Sequence, residues 1–305
     1  MERLLILLST YNGAQFIEEQ INSILLQRDV EWSLLIRDDG SSDNTVDILK
    51  KFQKNAPEKI QIIEGANVGW KRSFMILAEY ASKEYPSVQL FAFADQDDIW
   101  LPDKLSSAIK QLNTLSEGPR LYASNLNYYK DGIDLGVIRH SKPVPTWQNC
   151  LIRNYATGCT IVFNRELLSL LIKEYDTIDI PHDYWAYMIA VLCGNVVIDD
   201  HSYILYRQHS NNQVGAKSGM LEIWKRRLKS FLSTSDNNSK EQYARDLLRI
   251  HGDSMSPEVK RTVLKVASYR NSIFTTFALL IDNKYTYNKK SNDFWMKLRI
   301  IFHRL

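Results

Sequence analysis

Apolar residues along the first hundred positions switch repeatedly between two periods. Residues 4–8, 33–36, 60–63 and 88–94 are short, largely apolar runs rich in β-formers, and they read as buried strands. Between them, Ile17, Ile21, Ile24 and Leu25 fall at helical spacing within 14–27, and residues 45–52 and 73–85 read as further helices. Pro102 is placed to open a fourth helix over 101–116. Strand then helix, four times over, predicts an α/β fold with a doubly wound, mostly parallel sheet. After residue 118 the pattern loosens. Residues 121–129, 160–163, 195–198 and 203–206 look like strands, and 165–174 and 184–192 like helices. Residues 215–305 show helical periodicity without a strand signal, broken by loop candidates at 233–239 and 253–257.

Charge divides the chain at the same place. Residues 1–214 hold 20 Lys+Arg against 27 Asp+Glu, a net of −7, whereas residues 215–305 hold 18 against 8, a net of +10. An acidic body with a basic tail points to two tasks and gives the tail an anionic partner. Cys150, Cys159 and Cys193 are odd in number and widely spaced, so neither a disulfide framework nor a zinc site is indicated. Residues 1–8 lack the basic flank and long apolar core of a signal peptide and read as a first strand. The longest charge-free stretch of the tail, 271–281, is far short of the roughly 20 residues a spanning helix needs, so no transmembrane segment is expected.

Four polar clusters follow strands or open helices. Ser9-Thr10-Tyr11-Asn12-Gly13 either offers a ring and hydroxyls to a base or caps the next helix through Asn12. Arg37-Asp38-Asp39-Gly40-Ser41-Ser42-Asp43 either accepts hydrogen bonds from a nucleoside or starts a helix; its paired acids exceed what capping requires. Asn67-Val68-Gly69-Trp70-Lys71-Arg72-Ser73 puts two cations near a helix N-terminus, suited to a pyrophosphate or to solvent alike. Finally, Asp95-Gln96-Asp97-Asp98 sets three carboxylates at the carboxyl end of a strand, where open α/β sheets bind ligands. Like charges this close repel, and a bound cation keeps them ionised. Hard oxygen donors without a Cys/His set favour Mg²⁺ or Mn²⁺ over zinc.

Taken in order, the blocks 8–13, 38–43 and 95–100 resemble the signature blocks of family 2 glycosyltransferases with the A-type nucleotide-diphospho-sugar fold. Thr157-Gly158-Cys159-Thr160, Pro181-His182-Asp183-Tyr184-Trp185 and residues 206–215 resemble the bacterial rhamnosyltransferase-like branch, so the likeness spans roughly residues 3–215. It implies a catalytic domain over 1–215, with a nucleotide-binding half (1–118) and an acceptor-binding half (119–215), followed by a basic helical extension over 216–305. Thr10, Tyr11, Asn12, Asp38, Asp39, Asn67, Gly69, Lys71, Arg72, Asp95 and Gln96 would hold a dTDP- or UDP-linked sugar, with Asp39 on the pyrimidine. Asp95, Asp97 and His209 would hold the metal, Asp183 would be the general base, and Gly158, Cys159, His182 and Trp185 would meet the acceptor.

The implied activity is inverting, metal-dependent transfer of a sugar, with rhamnose the first expectation, to a cell-surface polysaccharide or lipid-linked glycan precursor. The Gln-x-x-Arg-Trp motif of processive synthases is lacking, which favours addition of one sugar or a few. The alternatives are transfer of another hexose or a non-catalytic nucleotide-sugar-binding module. An Asp-x-Asp phosphatase would need its acid after the first strand, where Ser9-Thr10-Tyr11 stands. Residues 224–229 and 295–301 mix basic and bulky apolar side chains at helical spacing. They suit either an anionic membrane face or packing on the body. The expected location is therefore the cytoplasm, with peripheral contact on the inner face of the cell membrane; no nucleic acid is expected.

Overall fold

A computed structural model describes residues 3–208, 239–287 and 290–305. The elements run β1 (Arg3–Thr10), α1 (Ile17–Leu25), β2 (Glu31–Asp38), α2 (Thr45–Asn55), β3 (Ile60–Glu64), α3 (Trp70–Glu84) and β4 (Leu90–Ala94). They continue as β5 (Ile99–Trp100), α4 (Lys104–Leu112), β6 (Arg120–Lys130), β7 (Ile133–Val137), α5 (Trp147–Cys150), β8 (Ile161–Asn164), α6 (Arg165–Leu171), α7 (His182–Cys193) and β9 (Asn195–Arg207). Among the described residues of the extension, four further helices follow: Lys240–His251, Pro257–Ala267, Ile273–Ile281 and Lys290–Ile301.

The first half is the expected wound sheet. Strands β3, β2, β1 and β4 lie side by side and parallel. Because side chains alternate along a strand, Leu4, Ile6 and Leu8 of β1 enter one core with α1, α2 and α4, while Leu5 and Leu7 enter the other with α3, α6 and α7. Both faces are covered, as a near-continuous apolar strand requires. Beyond β4 the sheet is mixed, in the order β8-β6-β9-β5, with β8 antiparallel to both β4 and β6.

Three local readings change here. The strands expected at 195–198 and 203–206 are one strand, β9, parallel to β6 and bent where the register shifts around Asn125. The polar run Asp199-Asp200-His201 interrupts the apolar signal, and the Asn125 side chain bridges the irregularity by donating to the carbonyls of Asp200 (3.1 Å) and Arg139 (2.8 Å). Pro102 does not open α4. Ile99 and Trp100 pair with β9, Leu101 N–H donates to Tyr203 O (2.9 Å), and the helix starts at Lys104 after the turn. Strand β7 was not foreseen, although Asp131-Gly132, with φ of 50° and 83°, closes its hairpin.

The extension is not a detached arm. Tyr243, Leu247, Ile250, Val259, Val263, Tyr269 and Met296 complete the core on the α3/α6/α7 side. Helix α7 is thereby enclosed between sheet and extension, which explains why it is apolar all round its circumference. Among the described residues no helix is long and apolar enough to cross a membrane.

Candidate active site

The ends of β1, β2 and β4 converge as expected, held together by side chains rather than by secondary structure. Gln96, just past β4, accepts from Thr10 Oγ1 (2.6 Å) and Tyr11 N–H (2.9 Å) and returns its amide to Tyr11 O (3.2 Å). Gly13 leaves room for this clasp, since a Cβ there would lie 2.3 Å from Gln96 Oε1 and the Gln96 side chain would have to shift. Asn12, at φ 47°, does not cap α1. Its Oδ1 instead accepts from Ser42 N–H (2.8 Å), and its own N–H donates to Ser41 Oγ (2.8 Å), joining the first two loops. Tyr11 is left exposed at the mouth.

Asp38 and Asp39 are buried, and their carboxylates organise the loops. Asp38 accepts from Gly40 N–H (3.1 Å), Ser41 N–H (2.8 Å) and Ser41 Oγ (2.5 Å). Asp39 pairs with buried Arg37 and accepts from Val68 N–H (3.0 Å) and Gly69 N–H (2.9 Å). Gly69, at φ 82°, adopts a conformation that side chains rarely take, and it leads into α3. Arg37 also donates to Ser73 Oγ (2.9 Å) and Ala66 O (3.0 Å), so one guanidinium fixes the entry to α3. Asn67 is exposed beside Gly40. The cations Lys71 and Arg72 are engaged by Asp179 (2.8 Å) and Asp176 (2.5 Å), on the wall of a cleft of about 370 Å³ shared with Trp70, Tyr175 and Ile178. A diphosphate would have to draw them away from these partners.

At the β4 end, ligand atoms of Asp95, Asp98 and Cys159 lie within 4.8 Å of one another. Burial and the charges of Asp97 and Asp183 raise Asp95 to about 7. Asp98 is buried with neither carboxylate oxygen hydrogen-bonded among the described residues, and burial with Asp97 and Asp95 pushes its pKa well up. Under it, Lys104 is lowered to about 7 by burial and rests 3.6 Å from the Trp100 ring centroid. The carboxylates suit a hard divalent ion, and the orphaned oxygens of Asp98 add donors beyond the expected Asp95 and Asp97. Cys159 does not fit, because its sulfur is a soft ligand and Mg²⁺ and Mn²⁺ take hard oxygen donors. His209 lies outside the described residues.

Asp183 stands in the first turn of α7. Its carboxylate accepts from Tyr184 N–H (2.7 Å) and Asn154 Nδ2 (3.0 Å), and burial raises it to about 6. The residues expected to meet the acceptor, Gly158, Cys159, His182 and Trp185, are all buried, and Trp185 also lines the cleft beside Lys71 and Arg72. His182 stacks on Phe74 (3.9 Å between centroids) with Phe93 at its edge, and burial lowers it to about 3, so the ring is neutral packing. A Cβ on Gly158 would lie 3.1 Å from His182 Nε2, so Gly158 allows this close contact. Trp185 donates through Nε1 to Leu171 O (3.3 Å).

Sequence reasoning missed Asn154 and Lys240. Lys240 Nζ sits 4.0 Å from the Tyr184 ring centroid, and burial and Arg299 lower it to about 7 while Asp183 opposes the shift. Nothing in a basic tail singled it out. Arg207, from the last quoted block, donates to Asp97 O (3.0 Å) and pairs with Glu19 (2.5 Å), tying β9 to the acidic loop.

Comparison with known proteins agrees with this geometry. The family described as Glycosyl transferase family 2 matches residues 5–171. The dTDP-rhamnosyl transferase RfbG of Shigella flexneri is 34% identical over 230 residues, which is 72% of this chain and 77% of that protein. The UDP-Glc:alpha-D-GlcNAc-diphosphoundecaprenol beta-1,3-glucosyltransferase WfgD of Escherichia coli is 28% identical over 54% of this chain and 61% of its own length. Among solved structures, the mannosyltransferase PcManGT of Pyrobaculum calidifontis, in complex with GDP-Man and Mn²⁺, shares the fold with a TM-score of 0.53. It is 15% identical, and the match covers 98% of this chain and 84% of that one.

Proposed function

The chain belongs to glycosyl transferase family 2 and is a glycosyltransferase; we propose that it moves rhamnose, with inversion, from a dTDP-linked donor to a lipid-linked glycan precursor. The donor follows the name of the relative from Shigella flexneri, and the acceptor class follows that of the relative from Escherichia coli. Residues 1–215 form the catalytic part in this reading, and 216–305 the basic extension.

The observation that carries the reading is the placement of Asp183. It is a carboxylate raised to about 6, close enough to Asp95 to shift that residue's pKa, yet supplied by a different element. Tyr11 and the Thr10–Asn12 turn form the mouth that receives the nucleoside, and Asp38 and Asp39 shape it from beneath. Asp95 and Asp97, aided by Asp98, would hold Mg²⁺ or Mn²⁺, which as a Lewis acid stabilises negative charge on a departing nucleoside diphosphate. Asp183 takes the proton from the acceptor hydroxyl as that oxygen attacks the anomeric carbon, giving single displacement. Asn154 and Tyr184 N–H keep the receiving carboxylate oriented. The same reading puts the enzyme on the inner membrane face, where a lipid-linked acceptor is found.

Incubation with a panel of nucleotide sugars and Mn²⁺ tests it. We expect slow hydrolysis of dTDP-rhamnose above all others, and loss of Mn²⁺-dependent donor binding in Asp97→Ala. Equal indifference to every donor would refute the reading.

A further inference from the structure

Helix Ile273–Ile281 has its apolar side outward. Ile273 and Phe274 are 86% and 87% exposed, and Phe277 and Ile281 are 59% and 58% exposed. At about 100° per residue these four positions share a single arc of about 100°. The inward side carries Leu279, which is buried, with Thr275 and Thr276. This orientation is fixed by the fold. Ser272 and Thr275 form a reciprocal capping box, and the hydroxyls of Thr275 and Thr276 both donate to Tyr269 O (3.0 and 2.7 Å). An ordinary surface helix turns the other way, and an exposed contiguous apolar face of this kind marks an interaction site.

The surroundings identify the partner. Phe294 and Ile301, from the helix Lys290–Ile301 that packs beside it, are also more than half exposed. Lys284, three residues past Ile281, and Lys297, between Phe294 and Ile301 in the chain, are exposed. The nearby acids are engaged: Asp282 pairs with Lys265 (2.8 Å), and Asp293 accepts from Thr286 Oγ1 (3.0 Å) and Tyr287 N–H (2.6 Å). The segment 215–305 has a net charge of +10. A second copy placed symmetrically on this face would bring two such extensions together against their own repulsion. A surface that is apolar at its centre and anionic at its level of charge fits both features.

We infer that the outward face of Ile273–Ile281, together with the exposed Lys284 and Lys297, inserts into the headgroup–acyl boundary of an anionic lipid bilayer. This deepens the reading of the acceptor as lipid-linked, and its own evidence is the exposed face. The extension also packs against the site, since Lys240 lies over Tyr184, next to Asp183.

Flotation of the full chain with vesicles of phosphatidylcholine, alone or mixed with phosphatidylglycerol, tests the inference. The wild type is expected to float with the mixed vesicles in preference to the neutral ones. Phe274→Ser combined with Phe277→Ser should weaken partitioning by about tenfold or more, and Lys284→Glu with Lys297→Glu should remove the preference for anionic lipid. Donor hydrolysis without vesicles should be unchanged in both variants, which shows that they fold. A wild type that stays with the soluble fraction overturns the inference. So does unaltered flotation of the Phe variant, or a vesicle-free dimer that this variant dissociates. Failure of donor hydrolysis in the wild type would count against the transferase reading and leave the flotation result standing.

Discussion

Replacing Asp183 by Asn isolates the proposed base from the structure that holds it. The carboxyl is raised from 3.8 to about 6, chiefly by burial, so ionising it works against the fold. The displacement of about 2 units corresponds to at most about 3 kcal/mol of strain from the charge. Since the folded pKa lies above the unfolded one, this cost is absent below about pH 4, grows as pH rises through about 6, and is constant above. Asn removes it. Asn keeps an oxygen for Tyr184 N–H but turns a donor towards Asn154 Nδ2, and a lost buried hydrogen bond costs about 1–3 kcal/mol. The two contributions nearly cancel, and the variant should fold with wild-type stability.

Catalysis should not be spared. Removing a general base costs about 10²–10⁴ in kcat, or roughly 3–5 kcal/mol of barrier. In the wild type at saturating Mn²⁺, kcat/KM should fall about tenfold per pH unit below about 6, because the base must be deprotonated to act. Of the groups near Asp183, His182 is neutral, the Tyr184 N–H and Asn154 hydrogen bonds oppose the rise, and the Asp183 charge itself raises Asp95 and Lys240. Residual activity of Asp183→Asn should lack this acid limb, while donor affinity measured by calorimetry stays the same. A variant that retains most of its transfer rate, or a wild-type profile flat down to about pH 4.5, would refute the assignment.

Two further substitutions probe the loops that form the mouth. Arg37→Met leaves the Asp39 carboxylate buried with only the Val68 and Gly69 N–H groups, and should destabilise the protein by about 3–5 kcal/mol in urea unfolding; a loss below about 1 kcal/mol would show that Arg37 is not the organiser of the α3 entry. Gly13→Ala drives Gln96 off Thr10 and Tyr11, and should weaken binding of the nucleoside diphosphate by about tenfold in calorimetry while stability changes less; unaltered affinity would separate the Gln96 clasp from donor binding.

The nucleotide half was legible because its strands are buried on both faces and so read as uninterrupted apolar runs, with polar clusters standing where each run stops. Leu4 to Leu8 feed two cores in alternation, and no other arrangement would bury them all. Strand β9 was read as two because Asp199 and His201 belong to a bend that only the register with β6 explains. Strand β5 is two residues long and has no periodicity of its own; its existence depends on β9, a hundred residues away. Lys71 and Arg72 were correctly placed at the start of α3, but sequence gave no notice of Asp176 and Asp179 across the cleft.

The acceptor side was less legible, for a more instructive reason. A motif preserves the residues a site needs without saying which of them touch substrate. His182 and Trp185 flank Asp183 in sequence, yet on a helix the neighbours of an outward residue point elsewhere, and here they point into two packed layers. Helix α7 carried the clue in its lack of any polar face, which requires cover on the side away from the sheet. That cover is the extension, whose Tyr243, Leu247 and Val263 share the core with Tyr184 and Trp185. Described residues of the basic segment therefore pack on the helix that carries the proposed base, Asp183. One piece of chain thus covers α7 on its inner side and carries an exposed apolar face at Ile273, Phe274, Phe277 and Ile281 on its outer side.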